Sequence, residues 1–127
     1  MTRRPFLGIY TTIYRTPDLA KAKDWYSKAF GVEPYFDEPY YVGFNIAGYE
    51  LGLLPEEGDN RAGNGGAVAY WGVENADRGF AHMLAQGATE HAPIQDVGDG
   101  VRIGAVKDPF GNVVGIIENR EFAPPQG

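Results

Sequence analysis

The chain shows the same order of predicted secondary structure twice. A strand, a helix and three short strands occupy the first half, and the same order returns after a polar, glycine-rich stretch at 55–66. Internal repetition on this scale indicates that one structural unit has been duplicated. The sequence therefore predicts two βαβββ modules, 6–54 and 67–119, joined by the linker 55–66.

Both ends of the first predicted helix carry capping residues. Asp18 stands where an N-cap accepts a backbone hydrogen bond, and Gly31 stands where a left-handed C-cap is expected. Apolar residues recur between them at helical spacing and should point inward: Leu19, Ala22, Trp25, Tyr26 and Ala29. A strand at 6–16 precedes this helix, and strands near Glu33–Phe36, Tyr40–Ile46 and Tyr49–Leu54 follow it.

The second half repeats this order with different residues. We expect a strand at 67–73 and a helix within 74–88, with Phe80, Met83 and Leu84 inward and Gly87 at its end. Runs rich in β-branched residues predict three more strands, at 89–97, 101–108 and 112–119.

A tight turn at Ala47-Gly48 fixes which residues share a face of the first hairpin. The turn pairs Ile46 with Tyr49, Phe44 with Leu51 and Val42 with Leu53, an apolar face that should pack on the helix. The opposite face carries Tyr41, Gly43, Asn45, Glu50, Gly52 and Leu54. In the second half the equivalent face carries Ile103, Ala105, Lys107, Val113, Gly115 and Ile117.

Composition narrows the classes of function. A chain of 127 residues fits a single domain, 1–127, and the lack of cysteine excludes disulfides and thiol nucleophiles. The net charge of −6, with no basic aromatic cluster, argues against nucleic acid as a partner. No apolar run reaches the roughly 18 residues of a membrane helix, and the start of the chain is too polar for an export signal. We therefore expect a cytoplasmic protein without a membrane partner.

Two motifs resemble those of the vicinal oxygen chelate superfamily, which includes glyoxalase I, extradiol dioxygenases and bleomycin-resistance binding proteins. The segment "TPDLAKAKDWYSKAFG" resembles the opening helix of that family, and "DPFGN", Asp108–Asn112, resembles its Asp-Pro-x-Gly-Asn turn. The resemblance implies an α+β fold in which two βαβββ modules curl eight strands into a cup with the helices outside. It also implies a homodimer.

The same resemblance implies four metal-ligand positions, which here hold Thr11 and Val68 on the first strands and Gly52 and Gly115 on the last. None of these is a normal ligand for a divalent ion. We therefore expect no metal, no other cofactor and no catalytic residues. Three other side chains that could bind a metal are expected outside the site: His82 on a helix surface, His91 in a loop, and Glu118 as a solvated carboxylate that faces away from the cup.

Two glycines in strand interiors predict a roomy cup floor against which a planar group could lie. The predicted ligand-binding residues are Thr11, Ile13, Tyr41, Gly43, Asn45, Glu50, Gly52, Val68, Tyr70, Lys107, Gly115 and Ile117. The favoured function is non-catalytic sequestration of an aromatic or cationic antibiotic or natural product.

Two alternatives stay open. One is a metal-dependent lyase, isomerase or dioxygenase of the glyoxalase type that uses Glu50. The other is an assembly module whose cup is filled by its own side chains. The residues leave open the identity of the ligand, the number of open pockets, and whether the modules pair within one chain or across a dimer.

Overall fold

The structure is a computed structural model that describes residues 9–63 and 66–120. The first module contains β1 (Thr11–Thr16), α1 (Leu19–Phe30), β2 (Phe36–Glu38), β3 (Tyr41–Ile46) and β4 (Tyr49–Pro55). The second contains β5 (Tyr70–Gly72), α2 (Ala76–Ala85), β6 (Thr89–Gly98), β7 (Val101–Lys107) and β8 (Val113–Glu118). The first three residues of the strand predicted at 6–16 lie outside the described residues, and β1 begins only at Thr11.

Each module forms one four-stranded sheet, in the orders β1-β4-β3-β2 and β5-β8-β7-β6. In both sheets the first and last strands of the module pair in parallel and the remaining pairs are antiparallel. The helix of each module packs on one face of its sheet and leaves the other face open. The predicted α+β architecture of two βαβββ modules is confirmed. No helix within the described residues is long and apolar enough to cross a bilayer.

Helix α1 begins and ends where the sequence predicts. The Asp18 side chain accepts a hydrogen bond from the Lys21 amide at 3.1 Å, and Gly31 closes the helix at a φ of 70°. Its buried stripe is Ala22, Tyr26 and Ala29, and it packs on β3 and β4.

The β3–β4 hairpin turns at Ala47 and Gly48, whose φ angles are 53° and 97°. Positive φ at both central residues is typical of the two-residue hairpin turn. The turn sets the predicted register, Ile46 opposite Tyr49, Phe44 opposite Leu51 and Val42 opposite Leu53. These pairs supply much of the buried core of the first module.

The second hairpin brings the predicted residues to one face, with Ile103 opposite Ile117, Ala105 opposite Gly115 and Lys107 opposite Val113. In α2, Phe80 and Met83 are buried as expected. Leu84 is 39% exposed, so its inward placement is wrong. One residue advances the helix by about 100°, and the buried stripe runs instead through Ala76, Phe80 and Met83.

The start of β2 and the placement of His91 differ from the sequence prediction. The strand expected near Glu33–Phe36 is β2, Phe36–Glu38, because Tyr35 makes only a single backbone bond to Gly43 ahead of the ladder. His91, expected in a loop, lies inside β6. The linker begins within β4 at Pro55 and contains a short antiparallel bridge between Glu57 and Asn60.

A buried carboxylate joins the two modules. Asp108 accepts hydrogen bonds from the Tyr26 hydroxyl at 2.7 Å, from the amides of Phe110 and Asn112, and from the Asn112 side chain. Asn112 in turn donates to the Arg15 carbonyl of β1 at 2.8 Å. Burial, followed by the nearby Asp108 charge, raises the pKa of Tyr26 well above its ordinary value, so its hydroxyl remains a donor. The structure therefore packs the two modules against each other within one chain.

The two helices are also tied to each other. Trp25 Nε1 donates to the Gln86 carbonyl at 2.8 Å, and His82 Nε2 lies 2.8 Å from the Ala29 carbonyl. A carbonyl can only accept, so Nε2 is the protonated nitrogen of His82 in this contact. His82 thus contributes to the contact between α1 and α2, although the residue is exposed, as the sequence predicts.

Candidate functional site

The open face of the first sheet gathers six of the predicted site residues, and we call it the Glu50 face: Thr11, Ile13, Tyr41, Gly43, Glu50 and Gly52. The parallel pairing of β1 with β4 places Thr11 beside Glu50 and Ile13 beside Gly52. The hairpin then places Gly43 on the other side of Gly52. Strand register alone therefore brings this set together.

The Glu50 carboxylate is surrounded by hydroxyl groups. Thr11 Oγ1 donates to Glu50 Oε1 at 2.6 Å, and the Tyr35 hydroxyl donates to Oε2. The Tyr41 ring lies over Gly43 and Gly52, next to this carboxylate. A carboxylate that accepts several such bonds is stabilised in its ionised form.

The hydroxyls shift the titration of the whole cluster away from neutral pH. The bond from Thr11, then that from Tyr35, lowers the pKa of Glu50; partial burial opposes this, and Tyr41 adds to the lowering. The bond to Glu50 raises the pKa of Tyr35, and burial, followed by the same carboxylate, raises that of Tyr41. Glu50 is consequently a fixed negative charge at neutral pH, beside tyrosines that remain protonated.

The protein's own side chains cover the glycine in the middle of β4. A Cβ placed on Gly52 would lie 2.7 Å from Ile13 Cδ1 and 2.8 Å from Tyr41 Cε1. At Gly43 it would lie 3.1 Å from Tyr35 Cε1 and 3.2 Å from Tyr41 Cε2. The bare floor expected from the sequence is therefore wrong here, because the space that the glycines leave accommodates Ile13, Glu50 and the tyrosine rings.

Exposed aromatic rings border the Glu50 face. Phe36 lies 5.8 Å from Tyr41 and 6.2 Å from Tyr40, measured between ring centroids. Tyr35 and Tyr40 are 63% and 64% exposed. Tyr35 is absent from the predicted ligand-binding set, because no turn fixes the register of the strand predicted near Glu33–Phe36 and so its face could not be assigned. In the sequence, only its place in an aromatic-rich stretch, 35–41, points to a role at this site.

The open face of the second sheet is apolar, and we call it the Gly115 face: Tyr70, Ile103, Ala105, Lys107, Val113, Gly115 and Ile117. Tyr70 pairs with Gly115 across the parallel ladder and covers it. A Cβ placed on Gly115 would lie 2.8 Å from Tyr70 Cγ and 2.9 Å from the Ala69 carbonyl oxygen. Lys107 is exposed at the end of this face and is its one cationic residue.

A cleft of about 380 Å³ lies where β1 approaches the segment before β5. Its walls include Ile9, Thr12, Ile13, Ala67, Val68 and Val113. We call it the seam cleft, because no hydrogen-bonded ladder joins β1 to β5 in the described ranges. Ile13 belongs to the Glu50 face and Val113 to the Gly115 face, so the cleft connects the two.

The side chains of Asn45 and Glu118 have local structural roles. Asn45 is exposed and its Oδ1 accepts from the Gly48 amide at 2.7 Å, which closes the hairpin turn. Glu118 faces away from the cup, as predicted, but it is not simply solvated. Its Oε1 accepts from the Ala76 amide at 2.8 Å and so satisfies a free N–H at the start of α2.

The residues do not fit the divalent ion that the fold implies. Thr11, Gly52, Val68 and Gly115 offer no carboxylate, imidazole or thiolate at the four expected positions. Across 9–63 and 66–120 no three His, Cys, Asp or Glu residues converge. The nearby carboxylate of Glu50 already accepts bonds from hydroxyl groups.

Solved structures share this architecture. A glyoxalase family protein from Bacillus anthracis matches with a TM-score of 0.73 at 21% identity, covering 94% of this chain and 100% of its own. TioX from Micromonospora sp. ML1 matches with a TM-score of 0.71 at 19% identity, covering 87% and 98%. Lactoylglutathione lyase from Agrobacterium tumefaciens matches with a TM-score of 0.74 at 20% identity, covering 94% and 98%. At these identities the likeness concerns the fold alone.

The sequence comparisons decide the family. Comparison with curated proteins finds no match. The family model of the Glyoxalase/Bleomycin resistance protein/Dioxygenase superfamily matches residues 8–116. That range spans both modules and includes the opening helix and the Asp108–Asn112 turn. The chain is a member of the Glyoxalase/Bleomycin resistance protein/Dioxygenase superfamily.

Proposed function

We propose that this chain is a non-catalytic binding protein that sequesters a small aromatic or cationic molecule, such as an antibiotic or another natural product. The observation that carries the proposal is the Glu50 carboxylate, held by hydroxyl groups among exposed aromatic rings. Sequestration requires affinity and orientation only. A fixed charge, aromatic surface and a cleft supply both.

The titration of the cluster argues against acid–base catalysis at this face. A general acid or base works best with a pKa near the operating pH. Here the pKa of Glu50 is lowered, while those of Tyr35 and Tyr41 are raised. The hydrogen bonds that hold the carboxylate therefore also reduce its ability to exchange a proton near neutrality.

The second candidate is a metal-dependent lyase, isomerase or dioxygenase of the glyoxalase type. Glu50 favours it, because this carboxylate lies on the open face beside Thr11. Thr11 occupies one of the two first-strand positions at which the family resemblance implies a metal ligand. Such an enzyme requires the hydroxyl donors to give way to a metal ion. The two candidates therefore differ in whether a divalent ion competes for the Glu50 oxygens.

Calorimetric titration of chelator-stripped protein with Mn²⁺, Fe²⁺, Ni²⁺ and Zn²⁺ separates the candidates. We expect no stoichiometric binding, and no difference between the wild type and Glu50→Gln. The control is Glu90→Gln, which removes the same charge from an exposed position on β6. Tight one-to-one binding that Glu50→Gln abolishes and Glu90→Gln retains would establish the metal site and contradict the proposal.

Ligand titrations then test binding directly. Bleomycin and flat aromatic polyketides are added while the fluorescence of the tyrosines and two tryptophans is recorded. Saturable binding supports sequestration, whereas its absence across such a panel favours an assembly module. Two accompanying proposals, a homodimer and a cytoplasmic location, follow from the family resemblance and composition. Sedimentation equilibrium tests the first and cell fractionation the second.

A further inference from the structure

The Glu50 carboxylate has no positive counterpart in the described residues. The four ion pairs there join Lys23 to Asp37, Arg61 to Glu56, Arg102 to Asp77 and Arg120 to Glu118. Glu50 instead receives neutral hydroxyl donors, which orient the carboxylate without cancelling its charge. We infer that a cationic group of the ligand completes this site. The inference rests on the proposed binding function and specifies its ligand class.

Glu50 keeps acceptor positions for a cation. An ionised carboxylate offers about four acceptor positions. Thr11 uses one of them on Oε1 and Tyr35 uses one on Oε2, which leaves two. The carboxylate can therefore still accept from an N–H donor of the ligand, and its charge also attracts a nitrogen that carries no N–H.

The surrounding rings favour an alkylated cation. Tyrosine and phenylalanine faces attract cations within about 6 Å, and they commonly recognise alkylated ammonium groups. Tyr35 and Tyr40 expose most of their surface, and Phe36 lies between the rings of Tyr40 and Tyr41. Tyr35, whose hydroxyl reaches Glu50 and whose ring lies beside that of Tyr41 over Gly43, joins this aromatic surface to the carboxylate.

The seam cleft supplies a place for the rest of the ligand. Thr11, which contacts Glu50, and Ile13, which lines the cleft, lie on one face of β1, about 7 Å apart along the strand. Ile9, Val68 and Val113 make much of the cleft apolar. Lys107 on the Gly115 face repels a cation and favours its placement at Glu50. The ligand class is an amphiphilic monocation with a flat or apolar body.

A matched pair of dyes tests this class. N-methylacridinium is permanently cationic, and N-methylacridone is a neutral ring system of nearly the same shape. We expect the wild-type protein to bind the cation about tenfold more tightly than the neutral dye in fluorescence titrations. Glu50→Gln should abolish this preference, while the charge-matched control Glu90→Gln should retain it. Circular dichroism and thermal melting verify that both variants are folded.

The Tyr35→Phe variant distinguishes a ligand-binding carboxylate from a ligand-binding hydroxyl. It keeps the ring and frees one acceptor position on Glu50, so affinity for N-methylacridinium should be unchanged or higher. A loss of affinity for both dyes would overturn the assigned role of Glu50.

The remaining outcomes separate the two proposals. Equal affinity for both dyes, or a preference that survives Glu50→Gln, overturns the cationic class and leaves the binding function standing. Binding of neither dye overturns the inference and also counts against the proposed function.

Discussion

The two open faces of this protein come from the same module plan but have different chemistry. In the first sheet Thr11 lies beside Glu50 and Ile13 beside Gly52. In the second, Tyr70 lies beside Gly115, and Val68 and Val113 line the seam cleft. Both modules keep a glycine in the last strand and cover it with a large side chain. Only the first module places a carboxylate beside it.

This difference shows that the fold constrains the two faces less than it constrains the two cores. The core faces pack on helices and must be apolar in both modules. The open faces need only strand-compatible residues, so one can hold a hydroxyl-bound carboxylate and the other an apolar surface. A ligand that touches both is expected to have two chemically distinct ends.

The largest expected effect comes from removing Asp108, the buried carboxylate that joins the two modules. Asp108→Ala removes the buried acceptor of the Tyr26 hydroxyl, the Asn112 side chain and two backbone amides. Leaving these donors without a partner should lower the free energy of unfolding by at least about 3 kcal/mol. Urea denaturation measures this loss. Asp24→Ala, on the exposed side of α1, should stay within about 0.5 kcal/mol of the wild type. Similar losses in both variants would contradict the role given to Asp108.

An intermediate effect comes from adding a methyl group at each central glycine. Gly115→Ala brings its Cβ within 2.9 Å of the Ala69 carbonyl oxygen, a backbone atom that cannot rotate away. At Gly52 the neighbours are side-chain atoms of Ile13 and Tyr41, which can shift. We expect Gly115→Ala to cost about 1–3 kcal/mol and Gly52→Ala less.

Thermal and urea unfolding of both glycine variants provide the measurement. Gly52→Ala should instead change dye binding, since it displaces Tyr41 from the Glu50 face. A larger stability loss at Gly52 than at Gly115 would reverse this ranking and show that the first sheet is the more rigid of the two.

Much of the Glu50 face could be predicted from the sequence, because one turn determines it. Once Ala47 and Gly48 form the hairpin, strand alternation places Gly43, Glu50 and Gly52 on one side. Tyr35 could not be placed this way, since no turn fixes the register of the strand predicted near Glu33–Phe36, and in the structure β2 begins only at Phe36. The hydrogen bond from the Ala76 amide of α2 to Glu118 joins residues 42 positions apart, so no local sequence pattern predicts it. The covering of the glycines depends on side-chain rotamers, which no sequence period encodes.

The smallest expected effect is the pH dependence of cation binding at the Glu50 face. The folded state lowers the pKa of Glu50, so its charge is present above the usual carboxyl range of about 4.3 and is lost only at lower pH. The pKa values of Tyr35 and Tyr41 are raised, so these groups do not ionise in the neutral range. N-methylacridinium affinity should be constant from about pH 5 to 9 and fall in stronger acid. A bell-shaped profile centred near neutrality would point to a different titrating group.

The contact between the helices has a consequence for how copies of this chain associate. Trp25 and His82 occupy equivalent places counted from the N-caps Asp18 and Asn75, and Ala29 and Gln86 do likewise. The bonds from Trp25 to Gln86 and from His82 to Ala29 are thus related by a pseudo-twofold axis.

An isologous interface between two identical subunits has this reciprocal form. The chain therefore carries, within one polypeptide, the contact of a symmetric dimer of half-length units. Two whole chains that each keep this internal contact could associate only through a different surface.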